Sequence, residues 1–132
     1  MHATGSFEVS LKPMSAYAQG QQGMKLGRMS IDKTFSGDLS ATSKGEMLSA
    51  MTPVPGSAGY VAIEQVSGSL AGKSGTFVLQ HFGMMHEGAQ RLVLEVVPGT
   101  GTGELQGISG LMSIQIEAGK HFYQFDYQLP EA

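Results

Sequence analysis

Apolar and polar residues alternate with a period of two along almost the whole chain, the pattern of strands with one covered face. Phe7, Val9 and Leu11 alternate with Ser6, Glu8, Ser10 and Lys12, a first strand that the pattern ends at Pro13. After a long polar connection over 14–23, Met29, Ile31, Lys33 and Phe35 share one face of a second strand, and Gly37-Asp38 turns into a third. The third runs from Leu39 to Met51 and is half polar, as an edge strand or one facing a lumen would be. Pro53-Val54-Pro55-Gly56 breaks the chain before a fourth strand over 60–66, and a turn over 72–75 leads to a fifth over 76–82. The sixth spans 91–97. In the seventh, over 108–117, Ile108, Met112, Ile114 and Ile116 lie on one face. Beyond Gly119-Lys120, His121, Tyr123, Phe125, Tyr127 and Leu129 alternate with Phe122, Gln124, Asp126 and Gln128 in an eighth.

Eight strands at regular spacing, joined mostly by short glycine turns, predict an antiparallel meander. An open sheet of this width leaves two sticky edges, and closure into a barrel removes them. The expected fold is therefore all-β: a single antiparallel up-and-down barrel of about eight strands, lipocalin-like in size, over residues 1–132. Such a barrel is either filled by its own side chains or just wide enough for one small ligand. No internal repeat and no long helical period is present. Between the sixth and seventh strands, Gly99, Gly101 and Gly103 alternate with Thr100 and Thr102. Alternating glycine cannot hold a helix, and the segment reads as a sharp hairpin loop with at least one glycine at positive φ.

Composition narrows the function. Charged residues make up 14% of the chain, well under the usual share of about 25%, so much of it must be buried or locked in sheet. A net charge of −3 with scattered basic residues excludes the basic stripe that nucleic-acid binders carry. There is no cysteine, hence no disulfide, thiolate nucleophile or cysteine zinc site. No apolar run approaches the ~20 residues of a membrane span, and the first residues lack the regions of a signal peptide. No membrane partner is expected, and the expected location is cytoplasmic.

Known motifs are nearly absent. Gly72-Lys73-Ser74 echoes the end of a phosphate loop, but Ser67 stands where the first glycine is needed and no helix follows, so it is a turn. The alternating glycines lack dinucleotide-binding spacing and a βαβ setting; their N–H groups form at most an anion nest. No His-x-His pair exists to chelate from one strand face, and neither a metal nor a cofactor is expected.

The candidate site rests on six residues. His81 and His121 each lie on a strand face with apolar partners, and if those faces point inward the barrel holds two imidazoles, groups whose ordinary titration falls near neutrality. Glu64 shares a face with Tyr60, Ala62 and Val66, opposite Val61, Ile63 and Gln65. Alternation alone does not decide which of these faces is covered. If Glu64 faces the lumen, the turn near Gly72 sets it one rung from His81, and the two form an ion pair or share a proton. Tyr60, Tyr123 and Tyr127 would complete a polar, aromatic lining, unless their hydroxyls simply satisfy core hydrogen bonds.

Four segments carry a family resemblance: 35–39 (Phe-Ser-Gly-Asp-Leu), 59–64 (Gly-Tyr-Val-Ala-Ile-Glu), 75–81 (Gly-Thr-Phe-Val-Leu-Gln-His) and 97–105 (Val-Pro-Gly-Thr-Gly-Thr-Gly-Glu-Leu). In this order they resemble a bacterial family whose function is unknown and whose fold is similar to the plant allene oxide cyclase barrel. The resemblance implies a barrel and no reaction, so no catalytic residue carries over. Three functions fit. The first is a binding barrel for a small, mostly apolar ligand. The second, by analogy with allene oxide cyclase, is an isomerase or cyclase acting on a hydrophobic substrate. The third is a solid structural or interaction barrel. A filled interior favours the third, and an apolar cavity with one isolated polar group the first. A cavity in which Glu64 and His81 both reach within about 3 Å of one point favours the second. Fold relatives assemble through barrel exteriors, so Val61, Ile63, Val93 and Ile114 are candidates for a homo-oligomer interface if they point outward.

Overall fold

Each alternating run becomes a strand in the computed structural model, which describes residues 1–131. The strands are β1 (His2–Met14), β2 (Lys25–Gly37), β3 (Leu39–Met51), β4 (Ala58–Leu70), β5 (Lys73–His86), β6 (Ala89–Val96), β7 (Ser109–Glu117) and β8 (Lys120–Gln128). They pair antiparallel in chain order and β8 returns to β1, closing the barrel. Closure gives β3 no free edge. Its polar content is explained by the lumen, where Ser43 is buried while Thr42 and Lys44 point to solvent.

The strands outrun the apolar pattern because their ends are held by neighbours rather than by burial. β4 carries Gly59 and the Ser67–Ser69 stretch inside its ladder, paired on both sides with β3 and β5. β1 continues through Pro13, since its pairing with β8 stops at Phe7 and a proline is tolerated where one edge lacks a partner. The wall is uneven. β3 and β4 are paired from Leu39↔Leu70 to Met51↔Ala58, whereas β6 and β7 meet only at Leu94↔Met112 and Glu95↔Leu111.

The glycine-rich segment is not a hairpin loop but a strap across one end of the barrel. The N–H groups of Val97 and Thr102 donate to the carbonyls of Val78 and Thr76, each at 2.9 Å. The hydroxyls of Thr100 and Thr102 accept the N–H groups of Val78 and Thr76, each at 3.0 Å. The segment thus continues the β5 ladder, turns through a 3₁₀ helix at Gly103–Leu105, and sinks Leu105 and Ile108 into the core. Gly99 and Gly103 take φ of +83° and +60°, as the alternation required, and a Cβ on Gly101 would lie 2.1 Å from the Leu105 carbonyl oxygen.

Above the strap the interior is packed with Phe7, Phe35, Leu39, Val66, Leu70, Phe77, Leu79, Leu94 and Phe125, all buried. Ile114 packs against this core, which removes it from the surface candidates. Val61, Ile63 and Val93 point outward. No helix among the described residues is long and apolar enough to cross a membrane.

Candidate functional site

Strand alternation buries Glu64 completely, with Ile63 and Val61 outside. Register sets Ala62 opposite His81 and Glu64 opposite Leu79, so the acid and the imidazole occupy neighbouring rungs on one face. Lys33, on β2, and Ser43, on β3, reach the same carboxylate across the lumen. Lys33 Nζ donates to Glu64 Oε2 at 2.8 Å and Ser43 Oγ to Oε1 at 2.7 Å, while His81 Nε2 also meets Oε2. All four side chains are buried, Lys33 at 6% exposure and His81 at 4%.

Burial by itself would raise the Glu64 pKa. The hydrogen bond from His81 and the Lys33 charge outweigh it and hold the carboxyl at about 2, well below its ordinary value. Lys33 also stands 4.8 Å from the centre of the Phe7 ring, a cation–π contact that supports its charge away from water. Lys33 and Ser43 are the members that sequence reasoning missed. The signal was a lysine on the covered face with Met29, Ile31 and Phe35, which demands a buried anion.

The candidate residues divide. Tyr60 joins the cluster: its hydroxyl lies 3.4 Å from His81 Nδ1, and burial together with the Glu64 charge raises its pKa. Its ring lies against Gly83, where a Cβ would come within 2.3 Å of the ring edge, so glycine is what seats it. The other three lie apart. Tyr123 accepts the Leu39 N–H at 2.9 Å and donates to the Ser36 carbonyl at 3.0 Å, pinning the β2–β3 turn at the strap end. Burial raises its pKa, opposed by the Leu39 bond and assisted by the Asp38 charge, which keeps it a donor. Tyr127 stacks on Phe125 at 5.3 Å and belongs to the core. His121 packs on the Phe7 ring at 5.1 Å, with no side-chain hydrogen bond among the described residues. The expected Tyr123 and Tyr127 lining beside Glu64 therefore does not form, because both hydroxyl-bearing rings serve the opposite end of the barrel.

Above Tyr60 the barrel opens into a pocket of about 800 Å³. Met29, Met47, Met51, Met84 and Met85 line it together with Tyr60, Gly83, Ala58 and Ser49, and the residue 14–19 segment forms part of its rim. Thioether side chains are flexible and polarizable, so this wall adapts to shape better than leucine or valine would. The charged lining residues are Lys25 and Arg28, with no carboxylate among them, and Arg28 is already held by Glu46 at 2.6 Å. Glu64 and His81 do not reach the pocket wall; Tyr60 stands between them and it. No group of three or more His, Cys, Asp or Glu suited to a metal occurs among the described residues.

Fold and site together define a barrel that is packed at its strapped end, open at the other, and divided by a buried ion cluster. A family model described as "Protein of unknown function (DUF3224)" matches residues 3–127. The chain belongs to the DUF3224 family. It is similar to a crystal structure of a DUF3224 protein of unknown function from Shewanella oneidensis MR-1, at 60% identity and a TM-score of 0.97, covering 100% of this chain and 98% of that one. No curated protein matches.

Proposed function

We propose that the protein binds a small, mostly apolar molecule that carries one hydrogen-bonding group. The observation behind this reading is an open, methionine-lined pocket with a single phenol at its floor. Apolar walls with a few placed polar groups are the usual make-up of a small-molecule site. From the rung of Met29 to that of Lys25 the pocket wall runs for four residues along β2, about 14 Å of tilted strand at the usual rise. With Lys25 at the rim and no carboxylate in the lining, neutral or anionic molecules are favoured over cations.

Native mass spectrometry of protein purified from its own cells should show a mass increment. A neutral naphthylamine dye should bind saturably, one per pocket, and be displaced by the retained molecule. Tyr60→Phe should weaken retention about tenfold, the value of one hydrogen bond at the site. Absence of a retained molecule together with non-saturable dye binding would overturn the reading in favour of a structural barrel.

One observation supports the isomerase or cyclase alternative. With its Nε2–H given to Glu64, a neutral His81 presents Nδ1 as an acceptor towards the Tyr60 hydroxyl. That chain can pass a proton between the pocket floor and the imidazole. Catalysis through it would place solvent deuterium on carbon in the bound molecule, whereas binding alone would not.

A further inference from the structure

The alternation that buries Glu64 and His81 turns their neighbours outward, and on β3 to β6 these are apolar. Register aligns Leu48 with Val61, Val61 with Phe82, and Phe82 with Val93. The row crosses four adjacent strands, about 14 Å at the usual strand spacing. Exposure runs from 41% at Phe82 and Val93 to 55% at Leu48, and Ile63 stands beside the row at 49%. Single exposed apolar residues are ordinary; an aligned row of them marks a surface that another molecule covers.

The charges around the row point to what covers it. At one edge Arg28 and Glu46 already neutralise each other. At the other, Arg91 and Glu95 stand on β6 one rung to either side of Val93, and neither is in an ion pair among the described residues. Four residues of strand, about 14 Å, keep them from pairing with one another. Arg91 instead lies over the Phe82 ring, 5.5 Å from its centre. A two-fold axis laid along the row where it crosses β4 and β5 sets Val61 and Phe82 each against its own copy, while the wall of the closed barrel curves away towards Leu48 and Val93 and leaves room there for longer side chains. The same rotation brings Arg91 onto Glu95 of a second chain, and Ile63 onto Gly59, where the flexible Met84 thioether lies and can pack against it.

We infer that this face joins two copies of the chain into a symmetric dimer, with the row at its centre and two reciprocal Arg91–Glu95 pairs at its rim. The inference is independent of the pocket. Light scattering or sedimentation of the intact chain at about 100 μM, ample for an interface of standard size, should give twice the 13.9 kDa mass of the chain. Phe82→Glu and Val61→Lys, each on the outer face, should give monomers that keep the sheet signal in circular dichroism; the two serve as independent readings. Arg91→Glu and Glu95→Arg should each weaken the dimer about tenfold, and the two together should restore it. A monomeric parent would overturn the proposal and leave the row to a different protein. So would a dimer indifferent to Phe82→Glu and Val61→Lys, or a double charge reversal no tighter than the single ones.

Discussion

Glu64 is held as an anion in a place where an isolated carboxylate would not ionise, and among the described residues Lys33 and His81 have no other anion to answer them. Its pKa, lowered from 4.5 to about 2, ties it to stability. A depressed carboxyl contributes above its unfolded pKa and loses that contribution as pH falls through the folded one. Stability should therefore decline between about pH 4.5 and 2, by on the order of 3 kcal/mol, in urea unfolding followed at each pH. Glu64→Gln should abolish that slope. It should also cost about 3–5 kcal/mol at neutral pH, because it strands the Lys33 ammonium in the core. Lys33→Met combined with Glu64→Gln should recover much of the loss, since no ammonium is then stranded in the core and the amide oxygen can still accept from Ser43 and His81. The carboxylate thus acts on the fold first, and on the pocket only through His81 and Tyr60.

At the scale of elements, the strap is where single residues matter most. Gly101→Ala would drive a Cβ onto the Leu105 carbonyl, and Gly99→Ala and Gly103→Ala would force alanine to positive φ. Each should destabilise by about 1 kcal/mol or more, Gly101→Ala the most, read as a drop in melting temperature. The eight strands and their order were legible in the sequence because period-two patterning and glycine turns act locally. The Glu64–His81 rung followed in the same way from counting residues about the turn near Gly72. The strap was not legible: its threonines bond to β5, which no local pattern reports. Nor was the commitment of Tyr123 to the β2–β3 turn, because a tyrosine on a covered face carries no mark of which end of the barrel its hydroxyl serves.

The whole molecule is packed at one end and open at the other, with charge at the boundary, so neither a solid plug nor a hollow tube describes it. The two-pair junction of β6 with β7 has a consequence for how the barrel breathes. Beyond Met112 the backbone of β7 is laddered to β8 alone, and β6 above Leu94 to β5 alone. Separating the wall there breaks few bonds, so transient opening should start at this line and not between β3 and β4, which are paired along their whole length. Deuterium exchange followed by mass spectrometry should label segments 89–93 and 113–117 well before 60–66. An occupied pocket should slow the first two far more than the third. Behind that line Leu92 and Ile114 pack on the core, so each such opening would loosen the packed end together with the wall.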